Sequence, residues 1–364
     1  MAKNDLNQPL HRKLHERRPR RSPVIAPVLI LTAFALAMIA ALWVAVVDDP
    51  DGGRAVAVAA IETAAPAATG SLVGDTDIES GDAAAAATGA EIELAALPVM
   101  PSALGADPGL IEQSAFGPLP RVSPDGRRAR DAYARPAGDL PGGVPRIVIV
   151  VGGLGISQTG TQNAIELLPE DVTLAFAPYG FSLQRWSAKA REEGHEILLQ
   201  IPLEPDGYPQ SNPGEHTLLA SGSGDMRRDL HWVLSRLTGY AGVMNYMGAR
   251  FTAEEKALVP FLGEVGERGL FYLDDGSSAV SLAPEVGEGL RVPVVTADRI
   301  VDLDRSKSEI ERALAELEAI ASARGVAVGV ASAFPASVAA IAAWAGGAKA
   351  RGVFIVPASA ALAN

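Results

Sequence analysis

The amino-acid sequence predicts an α/β fold, a (β/α) barrel that is complete or distorted, for residues 146–364. From Arg146 onward, short apolar runs alternate with longer amphipathic stretches, which is typical of βαβ units in a mostly parallel sheet. About seven or eight such units follow one another, which suits a barrel. An open doubly wound sheet is the alternative. In either architecture, functional side chains are expected just after the carboxyl ends of the strands.

The candidate strands are short runs rich in Val, Ile and Leu, as expected of strands that are buried on both faces of a sheet. They cover residues 147–151, 172–176, 196–201, 242–244, 270–273, 292–295, 326–330 and 353–356. Amphipathic patterns with a helical period lie between them. The clearest of these helical patterns cover residues 183–193, 253–268 and 306–324.

A single transmembrane anchor is predicted at residues 24–47, an apolar run without a charged side chain. Such a run spans a hydrocarbon core of about 30 Å. Residues 1–23 carry seven Lys and Arg, and the positive-inside rule places them in the cytoplasm and the rest of the chain in the periplasm. The predicted location is thus a bacterial inner membrane, crossed once. A cleaved signal peptide is the alternative, although its apolar core is usually only about 7 to 15 residues long.

Residues 48–109 are predicted to be a flexible Ala/Gly/Pro-rich linker. There is no lysine or tryptophan between residues 48 and 145, and so polar and small a composition buries too little apolar surface to offset the entropy of ordering. Residues 110–145 mix apolar side chains with a Pro-Asp-Gly turn at 124–126. They are predicted to dock on the barrel as an arm, and more linker is the alternative.

Composition excludes several functional classes. The chain has no cysteine, so it has no disulfide, thiolate nucleophile or iron-sulfur cluster. Its formal net charge is −12, and the body beyond residue 23 is strongly acidic, which argues against a nucleic-acid partner because phosphate binding needs a basic face. All five histidines lie outside the predicted functional rim of the barrel.

Ten residues at or just after the predicted strand ends are candidates for a site. Glu204 could act as an acid or base or accept hydrogen bonds from sugar hydroxyls, although a solvated loop glutamate is the commoner outcome. Asp274 and Asp275 are adjacent carboxylates that could hold a cation, share a proton or simply form a turn. Ser332 could be a nucleophile, but no histidine is placed to activate it. The other candidates, for substrate binding, are Gly152, Gly153, Gln200, Asn245, Tyr246 and Asp302.

Five sequence blocks occur in an order that identifies a resemblance. They are Gly-Gly-Leu-Gly at 152–155, Val-Thr-Leu-Ala-Phe-Ala-Pro-Tyr at 172–179, Gly-His-Glu-Ile-Leu-Leu-Gln-Ile-Pro-Leu-Glu-Pro at 194–205, Asn-Tyr-Met-Gly-Ala-Arg-Phe-Thr at 245–252 and Arg-Gly-Leu-Phe-Tyr-Leu-Asp at 268–274. The region from about 117 to 358 resembles the divergent polysaccharide deacetylase family. That resemblance implies a distorted (β/α) barrel related to carbohydrate esterase family 4 and an anchored or exported envelope protein.

The resemblance also implies a divalent metal, held by a carboxylate and imidazoles, that polarises an amide carbonyl while a second carboxylate activates water. By that resemblance, two glycines replace the family's paired aspartates, and glutamine, tyrosine and serine replace three of its histidines. Ala297 replaces an arginine, whereas Asp274 and Asp302 match. We therefore expect no metal and no other cofactor. The replaced positions are Gly152, Gly153, Gln200, Tyr246, Ala297 and Ser332.

We expect a membrane-anchored protein of carbohydrate metabolism that binds or acts on envelope polysaccharide or oligosaccharide without metal-dependent catalysis. In this interpretation Asp274 accepts hydrogen bonds from Tyr246 or from sugar hydroxyls. One alternative is an active N- or O-deacetylase whose rearranged site uses Asp274 or Glu204. A second alternative is a non-catalytic envelope scaffold that holds partner proteins through residues 110–136.

Overall fold

The computed structural model describes residues 106–138, 140–222 and 225–363. The predicted basic segment 1–23, the predicted anchor 24–47 and all but the last four residues of the predicted linker 48–109 lie outside the described residues. Within the described ranges, no helix has both the length and the apolar character needed to span a bilayer.

The described chain forms eleven strands, of which nine build one parallel sheet. The first two form an antiparallel hairpin, β1 (Ile111–Ser114) and β2 (Gly117–Pro120). The strands of the sheet are β3 (Arg146–Leu154), β4 (Thr173–Phe176), β5 (Ile197–Leu203), β6 (Gly242–Met247), β7 (Phe271–Asp274), β8 (Val294–Thr296), β9 (Arg299–Ile300), β10 (Val326–Ser332) and β11 (Phe354–Val356).

Helices connect these strands in most places, as βαβ units require. They are α1 (Ala129–Ala132), α2 (Gln158–Leu167), α3 (Leu183–Glu192), α4 (Met226–Leu234), α5 (Ala249–Thr252), α6 (Glu255–Glu267), α7 (Ala283–Leu290), α8 (Lys307–Arg324) and α9 (Pro335–Ala348). Ser157 caps the start of α2 by accepting the Gly160 N–H at 3.1 Å. This cap fixes where the chain turns from β3 into α2 at the carboxyl edge of the sheet.

The sheet is curled into a half-barrel. Its strand order is β8-β7-β6-β5-β4-β3-β10-β9, and β11 also pairs with β3. The two end strands, β8 and β9, are separated by only two residues. The Ala297 N–H donates to the Asp274 carbonyl at 2.9 Å and the Asp298 N–H to the Val328 carbonyl at 2.7 Å. One short segment is thus bonded to β7 on one side and to β10 on the other.

The strands form because their apolar side chains are buried on both faces of the sheet. Residues 147–151 of β3 are completely buried, and each such side chain contributes about 1.5–3 kcal/mol relative to an exposed one. Position 329 of β10 is a glycine, and a Cβ there would lie only 2.4 Å from the Leu317 side chain of α8. A larger residue at this position would clash with the helix. Continuous burial therefore explains the unbroken apolar runs of the sequence.

Residues 107–135 form an arm that packs near the N-terminal ends of the strands. Arg268, three residues before β7, donates to the Pro120 carbonyl at 2.8 Å. Arg135 donates to the carbonyl of Gly194, just before β5, at 2.6 Å. The arm therefore lies against the end of the sheet opposite the strand carboxyl ends. Its apolar side chains buried in the core are Leu110, Leu119, Ala129 and Tyr133.

The predicted α/β class and parallel sheet are confirmed, and each predicted strand overlaps an observed one. The barrel is a half-barrel, and the sheet is not doubly wound, since β3 to β8 are neighbours in sequence order. The β1-β2 hairpin and the two-residue strand β9 were not predicted, because both are too short to show a period in the sequence.

Candidate functional site

A cleft of about 520 Å³ opens at the carboxyl ends of β3, β4, β5, β6 and β10. All these ends lie on one edge because the sheet is parallel, so loops from distant parts of the sequence meet there. The residues that line the cleft are Gly152, Gly153, Ile156, Ser157, Thr159, Gly160, Asn163, Ala177, Pro178, Tyr179, Gln200, Pro213, Tyr246, Ser332, Ala333, Phe334 and Pro335.

Gly152, Gly153 and Gln200 form the floor of this cleft. The Gly153 N–H donates to Oε1 of Gln200 at 2.7 Å. A Cβ at position 152 would lie only 2.7 Å from Nε2 of Gln200, so the glutamine amide fills the space that a side chain at 152 would need. Gln200 is 5% exposed. The glycine and the glutamine therefore fit each other as a pair.

One wall of the cleft is built on Tyr179, in the loop after β4, and on the loop after β5, which packs on Trp232 of α4. The Tyr179 hydroxyl donates to the Glu215 carbonyl. Burial, with the Glu215 charge next, raises the pKa of Tyr179, so this phenol remains a donor. His216 stacks on Trp232 with ring centroids 4.0 Å apart and an interplanar angle of 22°. These contacts hold the loop that carries Pro213 beside Tyr179.

The opposite wall is formed by the end of β10 and the start of α9. Oδ2 of Asp302 accepts the Ser332 N–H at 2.8 Å and the Ser337 hydroxyl at 2.7 Å. Asp302 is buried, and through these two hydrogen bonds it holds Ser332 in position next to α9. Next to it, the Phe334 ring is 44% exposed and carries the Arg305 guanidinium 4.6 Å from its centroid.

Asn245 fixes the ends of β6 and β7 together and does not line the cleft. Its Nδ2 donates to the Met247 carbonyl at 2.7 Å, and its Oδ1 accepts the Asp275 N–H at 2.8 Å. Tyr246, the next residue, is 43% exposed and reaches the cleft. Of the two donors that the sequence analysis offered for Asp274, Tyr246 forms no hydrogen bond with it among the described residues, and a sugar hydroxyl stays a prediction.

Asp274 is a buried carboxylate that binds its own loop. Its Oδ1 accepts the Gly276 N–H at 3.0 Å, and its Oδ2 accepts the Ser281 hydroxyl. Burial raises the pKa of Asp274, against the lowering effect of these two hydrogen bonds. Two residues earlier, Tyr272 packs edge-on against Phe261 of α6 with centroids 5.5 Å apart. Asp274 is absent from the cleft lining.

Asp275 and Glu204 also lie outside the lining. Oδ1 of Asp275 accepts the Ser277 N–H at 2.9 Å, which is a turn contact. Glu204 is 3% exposed; its Oε2 accepts the Ala220 N–H at 2.7 Å, and its Oε1 pairs with Arg250 at 2.8 Å. Both Glu204 oxygens thus have partners, which is unfavourable for a general base.

The residues of the cleft do not fit the divalent ion that the resemblance implies. Magnesium, zinc and their relatives are bound by carboxylate oxygens, imidazole nitrogens or thiolates. The described lining offers the two amides of Asn163 and Gln200, hydroxyls and phenols, and the amide oxygen of Gln200 already accepts the Gly153 N–H. No three His, Asp or Glu side chains of the described chain are grouped so that they could hold an ion.

Several lining residues were missed in the sequence. Ile156, Tyr179 and Phe334 each follow the end of a strand by two or three residues. Large apolar side chains in loops at this edge are the signal that could have found them. Ser157, which caps α2, and Asn163, in the middle of α2, carry no comparable signal.

Comparison with known proteins agrees with this architecture. The chain is similar to the uncharacterized protein YibQ of Escherichia coli (strain K12), with 24% identity over 196 residues, 53% of this chain and 60% of YibQ. It is also similar to an uncharacterized protein of Haemophilus influenzae, with 23% identity over 164 residues, 44% of this chain and 56% of the relative. The chain thus matches less than two thirds of the length of these two relatives.

A solved structure and a family model give stronger matches. The crystal structure of an uncharacterized protein from Agrobacterium tumefaciens C58 is 51% identical, with a TM-score of 0.65, and the match covers 67% of this chain and 99% of that one. The model described as divergent polysaccharide deacetylase matches residues 149–362, which include every strand of the sheet except the first three residues of β3. The chain therefore belongs to the divergent polysaccharide deacetylase family.

Proposed function

We propose that this protein binds an envelope polysaccharide or oligosaccharide in the cleft and does not hydrolyse it with a metal. The observation that carries the proposal is the chemistry of the described lining, which contains no carboxylate, imidazole, ammonium or guanidinium group. Family membership supports a polysaccharide as the ligand. A cleft with apolar walls and a few polar groups is the usual form of a binding site for an uncharged molecule.

The walls suit a sugar ring. Tyr246 and Phe334 expose 43% and 44% of their surfaces, and aromatic faces of this kind pack against the apolar C–H faces of pyranose rings. Ser332 and Gln200 add polar groups near the floor. Stacking surfaces with a small number of hydrogen-bonding groups are enough for binding but supply neither a base nor an electrophile for amide hydrolysis.

The proposal includes the location predicted from the sequence. Residues 24–47 would anchor the chain in the inner membrane, with the barrel in the periplasm, because the run is apolar and is preceded by basic residues. Protease digestion of spheroplasts tests this placement. It predicts that the barrel is cleaved from outside while an N-terminal tag before residue 24 remains protected, and protection of the barrel would overturn it.

Co-sedimentation with insoluble polysaccharide tests binding. The full chain, purified in detergent, is mixed with peptidoglycan sacculi or with chitin, and Tyr246→Ala is compared with Phe116→Ala. Phe116 is a matched control, because it is 41% exposed but lies at the tip of the β1-β2 hairpin. We expect the protein to sediment with at least one polymer, Tyr246→Ala to weaken this and Phe116→Ala to leave it unchanged.

Acetate release tests the second half of the proposal. The same protein is incubated with acetylated glycan and added zinc, cobalt or manganese. We expect no acetate above the level of a boiled sample. Release of acetate that requires the metal would overturn the non-hydrolytic part, and failure to bind any polysaccharide would overturn the binding part.

A further inference from the structure

The amide of Gln200 has one fixed orientation at the floor of the cleft. Its Oε1 accepts the Gly153 N–H at 2.7 Å, so Nε2 must point the other way, towards Gly152 and the space above it. The side chain is 5% exposed. Among the described residues no hydrogen bond from Nε2 is present, and Nε2 is not one of the fully buried side-chain atoms that lack a partner, so it is open to the cleft.

We propose that Nε2 of Gln200 is the specificity-determining donor of the cleft and that its ligand is an uncharged saccharide with an oxygen acceptor at that point. This inference rests on the proposed function and names the chemistry of its ligand. A hydroxyl or carbonyl oxygen of the sugar accepts the amide N–H. Gly152 contributes to this arrangement, because its lack of a side chain leaves room for the Gln200 amide and for the ligand.

The requirement for an uncharged ligand follows from the lining. A carboxylate or phosphate on the sugar would also accept from Nε2, but none of the described lining residues carries a cation to pair with it. The Arg305 guanidinium lies over the Phe334 ring and is not part of the lining. Burial of an unpaired charge is strongly unfavourable. An amino sugar with a free ammonium group would find neither a carboxylate in the lining nor an acceptor at the Gln200 amide nitrogen. A neutral sugar ring loses less hydration free energy than a charged one when it moves from water into the cleft.

Titration calorimetry on the full chain in detergent tests the inference with four probes. Chitohexaose and cellohexaose are uncharged, fully deacetylated chitohexaose is cationic, and hexagalacturonate is anionic. We expect at least one uncharged probe to bind at least tenfold more tightly than either charged one. Equal or tighter binding of a charged hexamer would overturn the assignment of an uncharged ligand.

Two variants test the role of the amide separately. Gln200→Leu removes the donor, and Gly152→Ala displaces it without changing Gln200, so either variant remains informative if the other fails to fold. Each should weaken binding of the uncharged probe about three- to tenfold, as expected for one lost hydrogen bond. The matched controls are Gln162→Leu on the exposed face of α2 and Gly142→Ala, where a Cβ would meet nothing within 4 Å.

The outcomes separate this inference from the proposed function. If an uncharged probe binds and both variants bind it as the wild type does, the role of Gln200 is wrong while saccharide binding stands. If no probe and no polysaccharide binds to the wild type, the proposed function and this inference both fail. Loss of binding in both variants, with the controls unchanged and all four proteins folded by circular dichroism, supports the inference.

Discussion

The carboxamide of Gln200 occupies the space beside Gly152 that any side chain at position 152 would need, with 2.7 Å between Nε2 and the site of a Cβ. The two residues come from β3 and β5, 48 positions apart in the sequence. The position of the Gln200 amide requires a glycine at 152, and the glycine at 152 makes that position available to the amide. The glycine and the glutamine therefore form one structural unit. Its consequences for stability can be measured.

The first prediction concerns coupling between these two positions. Gly152→Ala should destabilise the fold by about 1 kcal/mol, because the new Cβ pushes the amide away from the Gly153 N–H. In a Gln200→Ala background the same change should cost clearly less, since the obstructing amide is gone. Urea unfolding of the wild type, both single variants and the double variant measures the coupling energy. Strictly additive effects would show that the two residues do not compete for space.

The second prediction concerns Asp302, which holds Ser332 and Ser337. Asp302→Ala should lower the free energy of unfolding by about 2–4 kcal/mol, because a buried N–H and a buried hydroxyl lose their acceptor. Asp302→Asn should cost less, since one carboxamide oxygen can accept from both donors. Urea titrations compare the two variants with the control Asp206→Ala, which changes an exposed carboxylate. Equal losses in the Asn and Ala variants would contradict this role.

The third prediction concerns Glu264, which joins α6 to the arm through Arg268. Burial alone would raise its pKa, but hydrogen bonds from His231 and Arg227 and the charge of Arg268 outweigh burial and lower it to about 2 from the ordinary 4.5. A lowered pKa contributes stability that is present above pH 4.5 and is lost as the pH falls towards 2.

Glu264→Gln should therefore cost roughly 2 kcal/mol at pH 7, a figure reduced for the solvent that screens the exposed Arg227. The cost should shrink as the pH falls from 4.5 towards 2. Unfolding curves of both proteins across this range give the difference. A cost that does not change with pH would show that the carboxylate charge is not what stabilises the network.

The fourth prediction concerns Asp274, whose pKa is raised by burial. The protonated acid is the form that the fold favours, so its contribution is complete below pH 3.8 and is lost as the pH rises through the raised pKa. The stability of the wild type relative to Asp274→Asn should therefore fall with rising pH. Urea unfolding at several pH values tests the sign, and a difference that grows in favour of the wild type would contradict it.

The same variant separates fold from function. Asp274 contacts Gly276 and Ser281 and is not part of the cleft lining. Asp274→Asn should thus leave saccharide binding unchanged within twofold. A loss of saccharide binding in a folded Asp274→Asn protein would show that the Asp274 carboxylate takes part in the binding site.

Much of the fold could be predicted because burial leaves a direct trace in the sequence. Strands such as 147–151 are covered on both faces, which requires unbroken apolar runs. The rule that sites lie at strand carboxyl ends led to the edge of the sheet at which the cleft opens. The pairing of the 294–300 segment with both β7 and β10 left no such trace, because it depends on backbone hydrogen bonds of residues 297 and 298.

The site was harder to predict because strand position does not give side-chain direction. Gln200 and Asp274 both lie in or at the end of a strand, yet the first lines the cleft and the second bonds to Ser281 in its own loop. Side chains alternate between the two faces of a sheet. The orientation of the Asp274 carboxylate depends in addition on Ser281, a hydrogen-bond partner seven residues later in the loop. Glu204 likewise pairs with Arg250, which no spacing rule indicates.

The central claim, binding in the cleft without a metal, is tested most directly by one calorimetric comparison. The full chain in detergent is titrated with the uncharged hexasaccharide that it binds best, once in EDTA and once with excess zinc. In the same two buffers it is incubated with chitohexaose, whose N-acetyl groups allow released acetate to be assayed. We predict the same dissociation constant within twofold in both buffers and no acetate. A dissociation constant that improves tenfold or more with zinc, or acetate that appears only when zinc is present, would contradict the account.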